Sequence, residues 1–225
     1  LLFVSTLILF QSCRVKLEPV VILSFKEKIE KLFPNAVVTK LEKYDEFSRV
    51  YKLVVNQPFD SKQKELGSFE QTLYLSHTDE EMPMVLITEA ESVKLSTHEL
   101  CKLFKGNQIQ FEDRVHKNNV PNEYKKRTLA VEDIHNVITK LKRLYTGKWI
   151  STGRELGAEI ALSHKFKYPW DTKTTIVFNP KLNLISPEAY EFLENKGKEI
   201  MYIYKEDTKF IPILKPHVDA YKLTL

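Results

Sequence analysis

The sequence predicts an α/β protein, a three-layer sandwich with one sheet between two helical layers. Segments rich in β-branched and aromatic residues alternate along the chain with segments whose apolar residues recur at helical spacing. One segment, MVLIT at 84–88, is apolar throughout, as expected of a central strand that is buried on both faces. These two observations predict a sheet that is mainly parallel.

Each element is predicted from its local pattern. The first helix, SFKEKIEKLF, is amphipathic and is followed at once by Pro34. The next two segments, VYKLVV and SFEQTLYL, alternate in the manner of antiparallel strands, which places them at one edge of the sheet. The remaining segments alternate strand and helix. In order, the helices are predicted over 24–33, 129–145, 155–166 and 187–195, and the strands over 50–55, 68–75, 84–88, 108–114, 149–150, 174–178 and 200–204.

Composition favours a single globular domain over 13–225. The chain has 225 residues, and a hydrophobic content of 43% is enough for one sizeable core. The net charge of +4 is spread along the chain without a block of basic and aromatic residues, so nucleic-acid binding is not predicted. The histidines lack metal-ligand spacing, so no metal or cofactor is expected. His135, beside Asp133 in a helix, is interpreted as a structural histidine.

The first segment, LLFVSTLILFQSC, is apolar and too short to span a bilayer as a helix. We interpret 1–12 as the remnant of a signal peptide. Cys13 directly follows the apolar run, and LFQSC resembles a loose bacterial lipobox, in which the cysteine carries a lipid. The alternative is an ordinary signal peptide with an incidental cysteine. We predict export, either to the bacterial cell envelope as a lipoprotein, with membrane contact only through the lipid, or as a secreted protein. If Cys13 carries a lipid, Cys101 has no disulfide partner and is predicted to be a buried small hydrophobic residue.

The segment GRELG at 153–157 is the main candidate for a functional site. In parallel sheets, chemistry is expected at the carboxyl ends of the strands. GRELG lies between a strand and a helix, and it keeps the spacing of a nucleophile elbow, Gly-x-Ser-x-Gly. Its central residue is Glu155 in place of serine. Glu89, Glu112 and Arg114 come after other strands and are expected at the same crevice.

Five blocks along the chain carry a resemblance to a known family. In order they are GSFEQTLYLSH, MVLITEAES, GNQIQFEDRVH, AVEDIHNVITKLKRLYTGKWISTGRELGAEIA and KYPWDTKTTIVFNP. Together they resemble the bacterial secreted prolyl tripeptidyl aminopeptidases, which are serine peptidases of α/β-hydrolase fold. The resemblance runs from about residue 24 to the end of the chain. It implies an α/β-hydrolase-like domain with antiparallel strands at the amino-terminal edge, and peptides as possible ligands.

The departures from that family fall at the catalytic positions. The resemblance puts Glu155 at the nucleophile position, the backbone N–H of Leu156 in the oxyanion hole, His217 at the base and Asp207 next to the acid. The family also carries a helical lid after TTIVFNP. Here about twenty residues separate Pro180 from the last predicted strand, so the lid domain is expected to be absent.

The sequence leaves three hypotheses for function. The chain is an enzyme with a shifted nucleophile, such as the hydroxyl of Ser151 or Thr152, or the carboxylate of Glu155 attacking an alkyl carbon. Alternatively, it is a non-catalytic surface module that binds a peptide or a partner in the crevice at the carboxyl ends of the strands. The third hypothesis is a decayed product that folds poorly. Because acyl transfer needs a nucleophile that a base activates, the loss of serine favours a pseudoenzyme.

Overall fold

A computed structural model describes residues 22–88, 93, 95–181, 186–196 and 199–203. Its helices are α1 (Phe25–Leu32), α2 (Glu99–Phe104), α3 (Arg127–Leu141), α4 (Leu156–Lys167) and α5 (Pro187–Asn195). Its strands are β1 (Val37–Leu41), β2 (Arg49–Pro58), β3 (Ser68–His77), β4 (Met84–Ile87), β5 (Asn107–Phe111), β6 (Trp149–Arg154), β7 (Thr174–Phe178) and β8 (Ile200–Ile203).

All these strands join one mixed sheet in the order β1-β2-β3-β5-β4-β6-β7-β8. The pairs β1–β2, β2–β3 and β3–β5 are antiparallel, and the four pairs from β5 to β8 are parallel. This is the α/β-hydrolase-like arrangement, and the predicted fold class is confirmed. Because β4, β6 and β7 run parallel, their carboxyl ends meet at one edge of the sheet, which we name the carboxyl edge.

The core lies on both faces of the sheet, which makes the molecule a sandwich. Along β4, Leu86 belongs to the cluster that α1 and α3 cover, whereas Val85 and Ile87 belong to the cluster that α2 covers. Side chains alternate between the faces of a strand, so a strand buried on both sides must be apolar throughout. All four residues of β4 are buried, as the unbroken run MVLI predicts.

Local chemistry fixes where helices begin. At α1, the Ser24 hydroxyl accepts from the backbone N–H of Glu27 at 3.3 Å, and the Glu27 carboxylate accepts from the N–H of Ser24 at 2.6 Å. This reciprocal capping box satisfies two donors that the helix itself leaves without acceptors. At α5, Ser186 caps the first turn and Pro187 occupies the first helical position.

Two elements of the structure were not predicted from the sequence. They are β1, a short edge strand whose residues are mostly exposed, and α2, which has six residues. Both are too short for a hydrophobic period to be recognised. The predicted end of β6 was too early, since the strand continues to Arg154 and leads directly into the elbow. The chain between β7 and β8 holds α5 and is too short for a lid domain.

Cys101 is buried, as predicted for a small hydrophobic residue, and its thiol lies 3.1 Å from the Gly106 carbonyl oxygen. Burial raises the pKa of this thiol to about 12, which leaves it unreactive. Within the described part of the chain, no helix is both long and apolar enough to cross a membrane. Cys13 lies outside the described residues.

Candidate active site

Glu155 occupies the turn between β6 and α4 in a strained backbone conformation. Its φ is 49° and its ψ is −111°, and its side chain is exposed. Residues other than glycine adopt a positive φ only where surrounding structure enforces it. Here the N–H of Glu155 donates to the Phe178 carbonyl at 2.9 Å, which ties the turn to the neighbouring strand β7. This is the geometry that a nucleophile elbow requires, in which the central side chain projects from the carboxyl edge.

Gly153, the first glycine of the motif, is required because the strand and the helix nearly touch at this point. A Cβ on Gly153 would lie 2.4 Å from the carbonyl carbon of Gly157 and 2.6 Å from the Thr88 hydroxyl oxygen. Both separations are shorter than any van der Waals contact. Gly157 is itself buried in the first turn of α4. The spacing Gly-x-x-x-Gly is therefore explained by packing at an elbow.

Thr88 joins three segments at this edge. It comes directly after β4, and its hydroxyl lies 2.7 Å from the Gly157 carbonyl oxygen and 3.0 Å from the Thr152 carbonyl oxygen. Its backbone N–H donates to the same Thr152 carbonyl at 2.9 Å. The threonine therefore fixes the start of α4 against β4 and β6.

Leu156 is the first residue of α4 and is half-buried. The N–H groups in the first turn of a helix have no intrahelical acceptor, so the N–H of Leu156 can donate to a group outside the helix. Other residues that the sequence assigned to the site, namely Glu89, Asp207 and His217, lie outside the described residues.

A buried carboxylate lies one turn behind Glu155. Glu159 is 3% exposed, and one of its oxygens accepts from Arg127 at 2.9 Å, whereas Oε1 has no hydrogen-bond partner. Burial raises the pKa of Glu159, and the nearby charges of Arg127 and Lys181 oppose this increase only in part. The elbow is therefore backed by a second acidic group that is poorly solvated.

The hydroxyls closest to the elbow in sequence are both inside the sheet. Ser151 is fully buried, and its Oγ lies 2.8 Å from the hydroxyl of Thr175 on β7. Thr152 is also fully buried, and its hydroxyl has no partner. A nucleophile must reach the substrate, so neither hydroxyl is placed to replace a serine at position 155.

A family model described as PS-10 peptidase S37 matches residues 24–194, which is most of the chain. The chain belongs to the PS-10 peptidase S37 family. This confirms the resemblance seen in the sequence blocks.

A protein similar to this chain is the prolyl tri/tetrapeptidyl aminopeptidase of Streptomyces mobaraensis. It is 28% identical over 158 residues, which are 66% of this chain and 33% of the relative. The chain thus spans about a third of the length of the curated relative it matches. Among solved structures, the acetyl xylan esterase from Paenibacillus sp. R4 is similar with a TM-score of 0.49 and 12% identity, covering 76% of this chain and 65% of that one. The carboxyl esterase from Bacillus coagulans gives a TM-score of 0.45 and 12% identity, covering 72% and 55%.

Several residues in the S37-like blocks form buried structural pairs. Arg114 was predicted to face the crevice, but its side chain is 1% exposed and forms an ion pair with Asp133. Its remaining donors bind the carbonyls of Pro58, Phe59 and Tyr124. It has no free group to offer to a ligand, so its role is to hold the loop after β5 against α3.

His135 is also structural, as the sequence predicted, although its partner is not Asp133. Its Nδ1 lies 2.7 Å from Asp171 Oδ2, and its ring stacks on Tyr168. His164 Nε2 lies 3.1 Å from the same Asp171 oxygen. Because Asp171 precedes β7, this group lies at the end of the sheet opposite to Glu155.

Glu112 lies at the carboxyl edge, directly after β5, which ends at Phe111 and not at the predicted residue 114. It is partly exposed, at 31%, and its carboxylate forms an ion pair with Lys117 at 2.7 Å. Two further residues at this edge, Arg127 and Glu159, were not singled out from the sequence. The one available signal was the position of Glu159, four residues after Glu155, which is one helical turn. Within the described ranges, no group of three His, Cys, Asp or Glu side chains could hold a metal ion.

Proposed function

We propose that this S37 family chain binds peptides at the carboxyl edge of its sheet and does not hydrolyse them. The observation that carries the proposal is the conformation of Glu155, which has the backbone of an elbow nucleophile and the side chain of an acid. The Streptomyces mobaraensis relative is an aminopeptidase, so by its name it acts on the amino-terminal ends of peptides.

The absence of hydrolysis is expected from the chemistry of a carboxylate at this position. Serine attacks a peptide carbonyl once a base takes its proton, and the resulting ester is then hydrolysed. A glutamate that attacked the same carbonyl would have to form an anhydride while expelling an amine. This step is much less favourable than ester formation, because an anhydride is far less stable than an ester. The nearby hydroxyls of Ser151 and Thr152 are buried. Neither of these two hydroxyls is therefore accessible as a serine-type nucleophile at the elbow.

Binding at this edge is expected from charge. An exposed carboxylate at the elbow tip is complementary to an ammonium group, and the free amino terminus of a peptide is such a group. A helix-terminal donor such as the Leu156 N–H can donate to a peptide carbonyl oxygen next to it. A short peptide with a free amino terminus is the ligand that matches both features.

The test of hydrolysis uses a fluorophosphonate probe, which labels activated serines, and Ala-Ala-Pro amide substrates. Neither labelling nor turnover is expected from the purified chain. Labelling that disappears in Thr152→Ala or Ser151→Ala would establish a serine-type enzyme with a shifted nucleophile and would refute the non-hydrolysing role.

The test of binding compares Ala-Ala-Pro peptides that carry a dye at the carboxyl end and a free or acetylated amino terminus. Fluorescence anisotropy should show tighter binding of the free form, and Glu155→Gln should remove the difference. A loss of about 1.4 kcal/mol or more, a tenfold change in Kd, is expected for one ion pair in a partly desolvated crevice. Glu65→Gln, at an exposed position far along the chain, is the control and should change nothing. Equal binding of both peptides would contradict the proposal.

We further propose that the chain is exported and that Cys13 carries a lipid. The support is the apolar segment before Cys13 and its likeness to a lipobox. Expression of the full gene product in bacteria with a radiolabelled fatty acid should label the wild type and not Cys13→Ser. Equal labelling of both, or none of either, would refute the lipid anchor.

A further inference from the structure

A cavity lies at the end of the sheet opposite to Glu155. Its volume is about 490 Å³, and it is lined by Trp149, Lys173 and Glu199, which stand at or directly before the first residues of β6, β7 and β8. Since β6 has six residues, about 20 Å separate this cavity from the elbow. We name it the basic cleft and define it by the lysines 142, 165, 173 and 196 and the tryptophans 149 and 170, all of which line it.

The basic cleft carries more positive than negative charge. Its four lysines face two carboxylates, Asp171 and Glu199. Both carboxylates are already engaged within the protein. Glu199 lies 2.7 Å from the ammonium of Lys165 and 3.9 Å from that of Lys196, and Asp171 accepts hydrogen bonds from two histidines. The charge that remains for a ligand is positive.

Lys165 is a fixed part of the wall, because it is fully buried and its ammonium donates to the carbonyls of Pro169 and Thr172 as well as to Glu199. Lys142 is different. Its ammonium donates to the Trp170 carbonyl at 2.7 Å, and the nearest Asp171 oxygen is 3.7 Å away. Burial lowers the pKa of Lys142, and Asp171 compensates only in part, so an anion in the cleft would stabilise its charged form.

The aromatic residues of the basic cleft favour a ligand with a flat apolar body. The Trp170 side chain lines the cleft and is 88% exposed. So large an apolar ring is seldom left in contact with water, because its exposure is unfavourable. Trp149 is 3% exposed, and its indole N–H has no acceptor. Trp149 therefore contributes a buried part of the wall, and Trp170 is the ring that a ligand can reach.

We propose that the basic cleft binds a small anion with a planar apolar body. The anionic group, a carboxylate or a phosphate, pairs with Lys142 and Lys173, and the flat body stacks on Trp170. This site lies apart from the elbow and does not depend on how Glu155 acts.

The sequence makes the test specific, because its two tryptophans, Trp149 and Trp170, both line this cleft. Tryptophan fluorescence therefore reports on this site alone. The probes are phenyl phosphate, benzoate and inorganic phosphate, with phenol as the uncharged control. Phenyl phosphate or benzoate should give a saturable change with a Kd on the order of 1 mM or tighter. Comparison of these two probes tells which anionic group is preferred. Phenol and inorganic phosphate should bind at least about tenfold more weakly, and added salt should weaken binding.

Variants assign the site. The double variant Lys142→Gln/Lys173→Gln should bind phenyl phosphate and benzoate at least about tenfold more weakly than the wild type. Trp170→Ala, whose binding is measured by calorimetry, should lose the preference for phenyl phosphate over inorganic phosphate. Lys140→Gln is the matched control, since it removes a charge two residues before Lys142, in the last turn of α3 and outside the cleft, and it should bind these anions like the wild type. Lack of saturation by both ring-bearing anions, equal binding of phenol, or unchanged affinity in the double lysine variant would each overturn the proposal.

Discussion

Arg114 donates to both carboxylate oxygens of Asp133, at 2.7 Å from Nε and 2.5 Å from Nη2. Each side chain is 1% exposed. Removal of one partner from such a pair leaves the other as an uncompensated buried charge. We predict that Arg114→Met lowers the free energy of unfolding by about 3–5 kcal/mol, as measured by urea denaturation.

The double variant Arg114→Met/Asp133→Leu should recover part of this loss, because it removes the orphaned carboxylate. The control is Lys28→Met, which breaks the partly exposed pair with Glu80 and should cost less than about 1 kcal/mol. A cost of less than about 1 kcal/mol for Arg114→Met would mean that the buried pair does not hold the loop after β5.

Strain at the elbow predicts a stabilising substitution. A non-glycine residue in the conformation of Glu155 costs about 1–3 kcal/mol, and glycine relieves most of this cost. Glu155→Gly should therefore raise the free energy of unfolding by about 1 kcal/mol after the entropy that glycine adds to the unfolded chain is subtracted. Glu155→Ala retains a Cβ and should remain within about 0.5 kcal/mol of the wild type. If both variants unfold at the same urea concentration, the turn is not strained.

The contact between the two motif glycines predicts a destabilising substitution. Gly153→Ala puts a methyl group into the backbone of Gly157, so strand β6 and helix α4 must separate. We expect a loss of at least about 2 kcal/mol, measured by thermal melting with circular dichroism. Ser163→Ala, a half-buried position on the same helix, should change stability by less than about 0.5 kcal/mol. A Gly153→Ala protein as stable as the control would remove the packing explanation for the motif.

The lowered pKa of His98 predicts that the free energy of unfolding depends on pH. Its ring accepts a hydrogen bond from the Leu100 N–H at the start of α2, and burial, with Arg154 nearby, lowers its pKa to about 4. In the unfolded chain His98 has its ordinary pKa of 6.5, so between about pH 4 and 6.5 the unfolded state binds more protons than the folded state. The contribution of His98 to stability is therefore fully present above about pH 6.5 and falls as the pH drops towards 4.

The test is His98→Asn, which keeps a cap acceptor and removes the titrating ring. Urea denaturation should give similar stabilities for both proteins at about pH 7.5, and a smaller loss for the variant at about pH 5. Some dependence should remain, because burial also lowers the pKa of His77 to about 4. Identical curves for variant and wild type would show that His98 does not couple protonation to folding.

The parts of the site that could be predicted from sequence are those set by neighbours along the chain. The spacing of Gly153 and Gly157 predicted the elbow, because one strand–turn–helix unit fixes their contact. The pairs Arg127–Glu159 and His135–Asp171 could not be predicted, because the partners lie 32 and 36 residues apart and meet only through the packing of α3 on α4 and the loop after it. The burial of Arg114 was missed for the same reason, since an arginine after a strand is usually solvated.

The shape of the elbow is determined by the backbones of Gly153 and Gly157 and by the hydroxyl of Thr88, none of which involves the side chain of residue 155. That side chain points away from the core and is exposed. A replacement at position 155 therefore changes the chemical group at the tip of the turn without altering the contacts that shape the turn. The group presented there and the packing of the scaffold can change independently of each other during evolution.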